Sequence, residues 1–216
     1  MAHFILIPCQ EQEDIYLAHK QLNEQIAECF KASKSDTFTV AHDNIPSDDL
    51  ERVFKTRENC DIPYGTTTTL GQSGCAIYCL HQALRLKKGL QISIADLADI
   101  VASQGYYFPG RGTYHCLYDH CLEDHCLGDS SNDSSDKSHR ACSIQQLYDY
   151  LSYESLPLAT TLVDNSIYWG RNSGSHFVNV GGIDHVGVYI YDSEENHRIF
   201  MEHEKFIAAC KVAWLW

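Results

Sequence analysis

The sequence predicts an α+β fold in which a helical part is followed by an antiparallel sheet. Between residues 75 and 151, apolar side chains recur at helical spacing in segments bounded by capping residues or glycines. From Leu156 onward the pattern changes to short apolar runs separated by turns, which is typical of strands. The chain has 216 residues, of which 44% are hydrophobic, and this is enough for one sizeable domain with a buried core.

Two helices open the helical part. The first is predicted over Cys75–Lys87, because its apolar residues share one face and Gly89 follows as a C-terminal cap. The second begins after Ser93, which forms a partial capping box with Asp96, and it stops at Gly105.

Two more helices are predicted around a polar loop. A third helix is expected over roughly Thr113–Leu127. The segment Gly128–Arg140 consists almost entirely of Ser, Asp, Asn, Lys and His, which predicts a mobile surface loop. Ser143 and Gln146 then form a capping box that opens a fourth helix, which extends through Leu151.

Three strands are predicted in the second half of the chain. They cover Leu158–Val163, His176–Val180 and Val186–Tyr191, and the last two are joined by an Ile-Asp-His turn. Short connections of this kind favour antiparallel pairing, and we therefore expect an antiparallel sheet.

Residues 1–60 are predicted to be an appendage to a domain formed by residues 61–216. The appendage is expected to contain a short strand at Phe4–Ile7, an amphipathic helix at Glu11–Lys31 and a short helix at Asp48–Lys55. Its composition is compatible with a docking element, a lid or an inhibitory segment. The domain itself is expected to begin with an extended loop around Pro63 and Gly65.

Charge and composition exclude several classes of function. The net charge of −13 argues against nucleic acid or an anionic membrane as a partner, because both would be repelled. No run of 18 apolar residues is present, so no membrane insertion is expected. The first residues lack a secretory core, which predicts a cytoplasmic protein, or a secreted one if a signal was removed beforehand. The ten cysteines are expected to be mostly reduced thiols.

Cys75 is the candidate nucleophile. It is predicted to lie in the first turn of a helix, where the positive end of the helix dipole favours the reactive thiolate. Gly74, immediately before it, allows a close approach of the loop and keeps the thiol accessible. The alternative is that Cys75 is a buried structural residue, as Cys79 one helical turn later is expected to be.

His176 and Asp192 are the candidate base and its orienting carboxylate. His176 begins an apolar strand after a Gly-Ser loop, a position from which a base can face a cleft. Asp192 ends the next strand, and in a two-strand hairpin the start of the first strand lies beside the end of the second. The two side chains are therefore predicted to meet, so that the carboxylate would hold the imidazole tautomer. The alternative for His176 is a structural core histidine.

Taken together, these segments resemble the papain-clan cysteine peptidases that remove double-glycine leaders from bacteriocins, and more closely their stand-alone bacterial relatives. The shared elements lie within residues 61–216 and are Pro63-Tyr-Gly65, Ser73-Gly-Cys75, Ala95–Gly105, Gly110-Arg-Gly-Thr113, Gly174-Ser-His176-Phe-Val178 and Tyr189-Ile-Tyr-Asp192. The resemblance implies a papain-like fold, with a helical lobe bearing Cys75 and a sheet lobe bearing His176 and Asp192. It implies no cofactor.

The sequence departs from the family at the expected oxyanion hole. The family commonly places a glutamine six residues before the cysteine, where this chain has Thr69. Gln72 is the nearest candidate donor, together with the backbone N–H of Cys75, and the alternative is that Gln72 is an ordinary loop residue. The family also often has glycine after the cysteine, where this chain has Ala76. The transporter segments of the family's exporter members have no counterpart here, so a double-glycine leader is one substrate among several.

A tandem repeat of His-Cys-Leu-x-Asp spans residues 115–129 and invites a metal-site interpretation. A five-residue period advances about 140° per copy around a helix, so the copies cannot all converge on one ion. A structural, cysteine-rich helix is therefore favoured over an incidental metal site. No metal site is predicted, and the weak candidate ligands are His115, Cys116, His120, Cys121, His125 and Cys126.

The sequence thus leaves three hypotheses open. The leading one is hydrolysis of a peptide or amide bond in a peptide or protein substrate, through a thioester on Cys75. The second is acyl transfer to an amine or thiol by the same residues. The third is a non-catalytic papain-like binding domain with a metal site on the His-Cys repeat, against which the complete Cys, His and Asp set argues. Neither the substrate nor the oligomeric state is indicated by the sequence.

Overall fold

A computed structural model describes residues 25, 28–34, 38–46, 56–110, 112–115, 117–118, 139–141, 143–171, 174–195 and 197–216. It confirms the α+β class. The described helices are α1 (Arg57–Cys60), α2 (Leu70–Ser73), α3 (Cys75–Lys88), α4 (Ile94–Ser103), α5 (Ile144–Tyr153), α6 (Asn165–Tyr168) and α7 (His203–Ala209). The strands are β1 (Pro63–Tyr64), β2 (Thr68–Thr69), β3 (Tyr107–Phe108), β4 (Gly112–Thr113), β5 (His139–Arg140), β6 (Ala159–Asp164), β7 (Ser175–Ile183), β8 (Gly187–Tyr191), β9 (Ile199–Glu202) and β10 (Cys210–Leu215).

Three of the predicted helices are confirmed with their caps. Helix α3 ends at Gly89, which has the left-handed conformation that glycine adopts without strain. Helix α4 starts at Ser93, whose Oγ accepts a hydrogen bond from the Asp96 N–H at 3.1 Å. Helix α5 starts at Ser143, whose Oγ accepts from the Gln146 N–H at 3.1 Å.

The main sheet has six antiparallel strands in the order β5-β10-β6-β7-β8-β9. The three predicted strands are confirmed as β6, β7 and β8, which are neighbours in the sheet. Strand β7 continues beyond the predicted end to Ile183, and a bulge between Val180 and Gly182 shifts its register with β8. The sequence patterns did not predict β9, α7 and β10.

Several predictions around the helical part were wrong or lie outside the described residues. The expected loop before α2 contains a short antiparallel hairpin of β1 and β2. Thr113, the expected start of the third helix, lies instead in β4, because positive φ angles at Gly110 and Gly112 let the chain fold back on β3. The last two residues of the predicted polar loop form β5, which pairs with β10.

Other predicted segments cannot be compared. Residues 119–138, which include most of the predicted third helix and most of the polar loop, lie outside the described residues. So do the predicted strand at Phe4–Ile7 and the short helix at Asp48–Lys55. Of the predicted helix at Glu11–Lys31, only residues 25 and 28–31 are described, and they are helical.

Helices cover both faces of the sheet. Successive side chains of a strand point to opposite faces, and on β7 the buried Phe177 packs with α3 and α4, while the buried Val178 packs with α5 and α7. The described part of residues 1–60 adds to the second face, where Phe30 is fully buried. Within the described part of the chain, no helix is both long and apolar enough to cross a bilayer.

A buried polar network fixes α3 on β7. The Nδ2 of Asn179, on β7, donates to the Cys79 carbonyl at 3.0 Å and to the Gln82 Oε1 at 2.8 Å. Its Oδ1 accepts from the Thr160 hydroxyl on β6 at 2.7 Å. Since Asn179 and Thr160 are fully buried, these bonds are shielded from competing water. The network sets the position of α3, and therefore of Cys75, relative to the start of β7.

Candidate active site

Cys75 is the first residue of α3 and is partly exposed. Its backbone N–H belongs to the first turn, whose donors have no partner within the helix, and the positive end of the helix dipole lies at the sulfur. Gly74 is buried just before it, in the single-residue junction between α2 and α3. This junction delivers Cys75 directly from one helix into the next.

His176 and Phe177 of β7 approach the thiol from the sheet. The His176 side chain lowers the pKa of the Cys75 thiol by hydrogen bonding and by its charge, and the Phe177 backbone acts in the same direction. The Nε2 of His176 lies 2.8 Å from the Asp192 Oδ1, so Nδ1 is the ring nitrogen left for Cys75. His176 is nearly buried, with 5% of its surface exposed.

The carboxylate of Asp192 is fully desolvated and has three hydrogen-bond donors. Its side chain has no exposed surface. The Oδ1 atom accepts from His176 and from the Glu194 N–H at 2.9 Å. The Oδ2 atom accepts from the Tyr168 hydroxyl at 3.0 Å. All three donors stabilise the ionised form of the carboxylate. Such hydrogen bonds offset the free-energy cost of burying its charge.

The three groups shift one another's pKa values toward the charged forms. Burial raises the pKa of Cys75, but the hydrogen bond and charge of His176 outweigh it and hold the pKa below the ordinary 9.0. Burial lowers the pKa of His176, but Asp192 and Cys75 outweigh it and raise this pKa to about 10. Burial likewise opposes ionisation of Asp192, yet hydrogen bonding by His176 holds its pKa below 3.8. The arrangement favours a thiolate–imidazolium pair, the reactive state of a cysteine nucleophile.

Cys79 provides an internal contrast one helical turn further on. It is buried, and burial raises the pKa of its thiol well above the ordinary value. Thus two cysteines of one helix are expected to differ in chemistry because only Cys75 faces the imidazole. The other described cysteines, Cys29, Cys60 and Cys210, are also free thiols.

The structure therefore brings Cys75, His176 and Asp192 together, whereas Gln72 has a local role. The Oε1 of Gln72 accepts from the Thr68 hydroxyl at 2.9 Å and from the Thr69 N–H at 3.3 Å, which caps α2. Gln72 is exposed, and its Nε2 is the part of the amide left to act as a donor. Its assignment to an oxyanion hole stays a prediction.

Most of the weak metal candidates cannot be placed. Of the six, only His115 is described, and its ring packs edge-on against Phe177, with the ring centroids 5.5 Å apart. Cys116, His120, Cys121, His125 and Cys126 lie outside the described residues. Among the residues that the structure does describe, no group of three or more His, Cys, Asp or Glu side chains is arranged to hold a metal ion.

Sequence patterns missed two residues that support the triad, Tyr168 and Asn179. Tyr168 lies in α6, a four-residue helix that is too short to produce a periodic pattern. Asn179 is a polar residue within an apolar run, and that interruption of the strand Ser175–Ile183 was the available signal. A buried asparagine requires partners for its amide, and here the partners come from α3 and β6.

Gly74→Ala is expected to destabilise the protein by about 1–3 kcal/mol and to displace Cys75. A Cβ at this position would lie 2.5 Å from the Leu70 carbonyl oxygen, which belongs to the backbone and cannot rotate away. Gly89→Ala is the matched control, since no atom lies within 4 Å of a Cβ there and only the left-handed backbone opposes it. Urea denaturation of both variants tests this, and a Gly74→Ala protein as stable as the wild type would contradict the close packing of α2 on α3.

Comparison with known proteins indicates no family for this chain. No protein-family model matches the sequence, and no curated protein matches it significantly. The chemistry of this chain is therefore inferred from the geometry of its site.

Proposed function

We propose that this protein is a papain-like cysteine peptidase that hydrolyses a peptide or amide bond through a thioester on Cys75. The observation that carries the proposal is that His176, whose Nε2 lies 2.8 Å from the Asp192 Oδ1, also holds the pKa of the Cys75 thiol below its ordinary value. Nucleophile, base and orienting carboxylate within hydrogen-bonding reach are the signature of nucleophilic acyl chemistry. The order of helical part and antiparallel sheet is compatible with the papain-like arrangement.

Each residue has a defined role in the proposed reaction. The Cys75 thiolate attacks the carbonyl carbon, and the negative charge that develops on the oxygen is stabilised by the Cys75 N–H and the helix dipole, with Gln72 Nε2 as the predicted second donor. His176 gives its proton to the leaving amine as the C–N bond breaks, which leaves a thioester and a neutral imidazole. The imidazole then takes a proton from water, the resulting hydroxide attacks the thioester, and the carboxylic acid leaves Cys75.

Asp192 keeps the imidazole in one orientation through this cycle. It holds Nε2 so that the proton is exchanged at Nδ1, beside the sulfur, and it stabilises the imidazolium formed in each half-reaction. The substrate is proposed to be a peptide or protein, and the net charge of −13 favours cationic over anionic substrates.

The proposal is tested by incubating the protein with a complex mixture of peptides in water enriched in heavy oxygen. Mass spectrometry should show new C-termini carrying one heavy oxygen, because water resolves the thioester. Cys75→Ala should produce none of them, whereas Cys79→Ala should retain the activity. Peptides joined to added amines, without new heavy-oxygen carboxylates, would instead indicate an acyltransferase. No Cys75-dependent product of either kind would contradict the proposal.

A further inference from the structure

Tyr168 contacts the catalytic carboxylate from a helix that contains no member of the triad. It belongs to α6 (Asn165–Tyr168), and its hydroxyl donates to the Asp192 Oδ2 at 3.0 Å. Only 2% of the residue is exposed. Its ring centroid lies 6.2 Å from that of His176, so the same side chain also packs beside the imidazole.

The hydroxyl of Tyr168 completes the hydrogen bonding of the carboxylate. The two donors on Oδ1, His176 Nε2 and the Glu194 N–H, leave Oδ2 to be satisfied. A carboxylate with donors on only one oxygen can rotate about its Cβ–Cγ bond, whereas donors on both oxygens fix its plane. Burial, followed by the charge of Asp192, raises the pKa of Tyr168, so the hydroxyl remains a donor over the whole working range.

We propose that Tyr168 is a positioning residue, which holds the Asp192 carboxylate so that Oδ1 stays on His176 and the imidazole stays on Cys75. The inference rests on the proposed function, since it assigns the support of that same triad. Tyr168 touches neither the sulfur nor any reacting atom, and it acts through Asp192. The expected consequence of its loss is a looser imidazole and a weaker ion pair with the thiolate.

The test is the pH dependence of Cys75 alkylation by iodoacetamide in Tyr168→Phe. The titratable groups around the site are Cys75 and Cys79 of α3, His176, Asp192, Tyr168 and Glu195. Removal of the hydroxyl should raise the apparent pKa of the Cys75 thiol toward the ordinary value and slow its alkylation roughly tenfold at pH values below that pKa. A residue that only fills space would leave this pH profile unchanged.

Tyr189→Phe is the matched control. Tyr189 donates to the Asp184 Oδ2 at 2.7 Å, so this variant removes a tyrosine–carboxylate hydrogen bond outside the site. It should leave the alkylation profile as in the wild type. Equal profiles in Tyr168→Phe and the wild type, or a lower thiol pKa in Tyr168→Phe, would overturn the proposal.

Asp192→Asn provides the second arm of a double-mutant cycle. Hydrogen bonds to a neutral amide are weaker than those to a carboxylate. In the Asp192→Asn background, Tyr168→Phe should therefore slow Cys75 alkylation roughly threefold, instead of the roughly tenfold expected in the wild-type background. An unchanged cost would mean that Tyr168 does not act through Asp192. If the wild-type Cys75 itself titrates as an ordinary thiol, the proposed function fails, and that result is distinct from the failure of the Tyr168 assignment.

Discussion

Replacement of His176 by alanine is expected to lower peptide hydrolysis by about 10³-fold or more. In the proposed mechanism the imidazole stabilises the thiolate, protonates the leaving amine and later activates water, so its loss should affect both halves of the reaction. His203→Ala is the control, because His203 is also buried but contacts the Tyr148 hydroxyl at 3.0 Å and the Asp184 carbonyl instead. It should cost stability and keep most of the hydrolytic activity. Comparable hydrolysis by His176→Ala and the wild type would contradict the assigned base.

The same pair predicts the pH dependence of hydrolysis. Cys75 must be deprotonated and His176 protonated, so activity rises through the pKa of Cys75, which lies below 9.0, and falls through that of His176, which is about 10. Below the first value the thiol is protonated and cannot attack, and above the second the imidazole has no proton for the leaving amine. A bell-shaped profile with its alkaline limb near 10 is therefore expected. An alkaline limb near neutral pH, as for an ordinary imidazole, would contradict the ion pair.

Replacement of Asn179 by leucine is expected to lower the free energy of unfolding by about 3–5 kcal/mol. The variant removes the acceptor of the Thr160 hydroxyl and one donor to the Gln82 Oε1 at a fully buried position. Because the network joins α3 to β7, the remaining folded protein should also alkylate more slowly at Cys75. Chemical denaturation measures the first effect, and the rate of labelling of folded protein measures the second.

Two neighbouring threonines of β6 provide a matched control for this network. Both Thr160 and Thr161 are fully buried, but Thr160 donates to Asn179 at 2.7 Å, whereas Thr161 makes only a long 3.4 Å contact with the Val178 carbonyl. Thr160→Val, which also removes the acceptor of the Trp216 Nε1 at 2.8 Å, should lower the free energy of unfolding by about 1–3 kcal/mol, and Thr161→Val should lower it much less. An equal loss of unfolding free energy in the two variants would show that the Asn179 network makes no specific contribution to stability.

The parts of the fold that could be predicted from the sequence are those with periodic patterns and recognisable caps. Helix α3 ends at Gly89 and helix α4 begins at Ser93, and both signals act locally. The approach of His176 to Asp192 could also be predicted, because it follows from the geometry of a single hairpin. The side chains of His176 and Asp192 meet as predicted, even though a bulge shifts the register between Val180 and Gly182.

The remaining features depend on contacts between segments that are distant in the chain. The role of Tyr168 becomes visible only when α6 is placed beside the end of β8, 24 residues later. The Asn179 network spans 97 residues to Gln82. Phe30 is buried against α5 and α7, although its local sequence indicates only an amphipathic segment. The capping contacts of Gln72 depend on the hairpin of β1 and β2, which the pattern had indicated as a loop.

The central claim is that Cys75 is held as a thiolate by His176, and the most direct test is the rate of iodoacetamide labelling of each cysteine as a function of pH. Mass spectrometry of the digested protein gives these rates separately. Cys75 should be labelled rapidly at pH values well below 9.0, and slowly in His176→Ala, while the buried Cys79 and Cys210 stay unreactive. Labelling of Cys75 with an ordinary thiol pKa, unchanged in His176→Ala, would contradict the account.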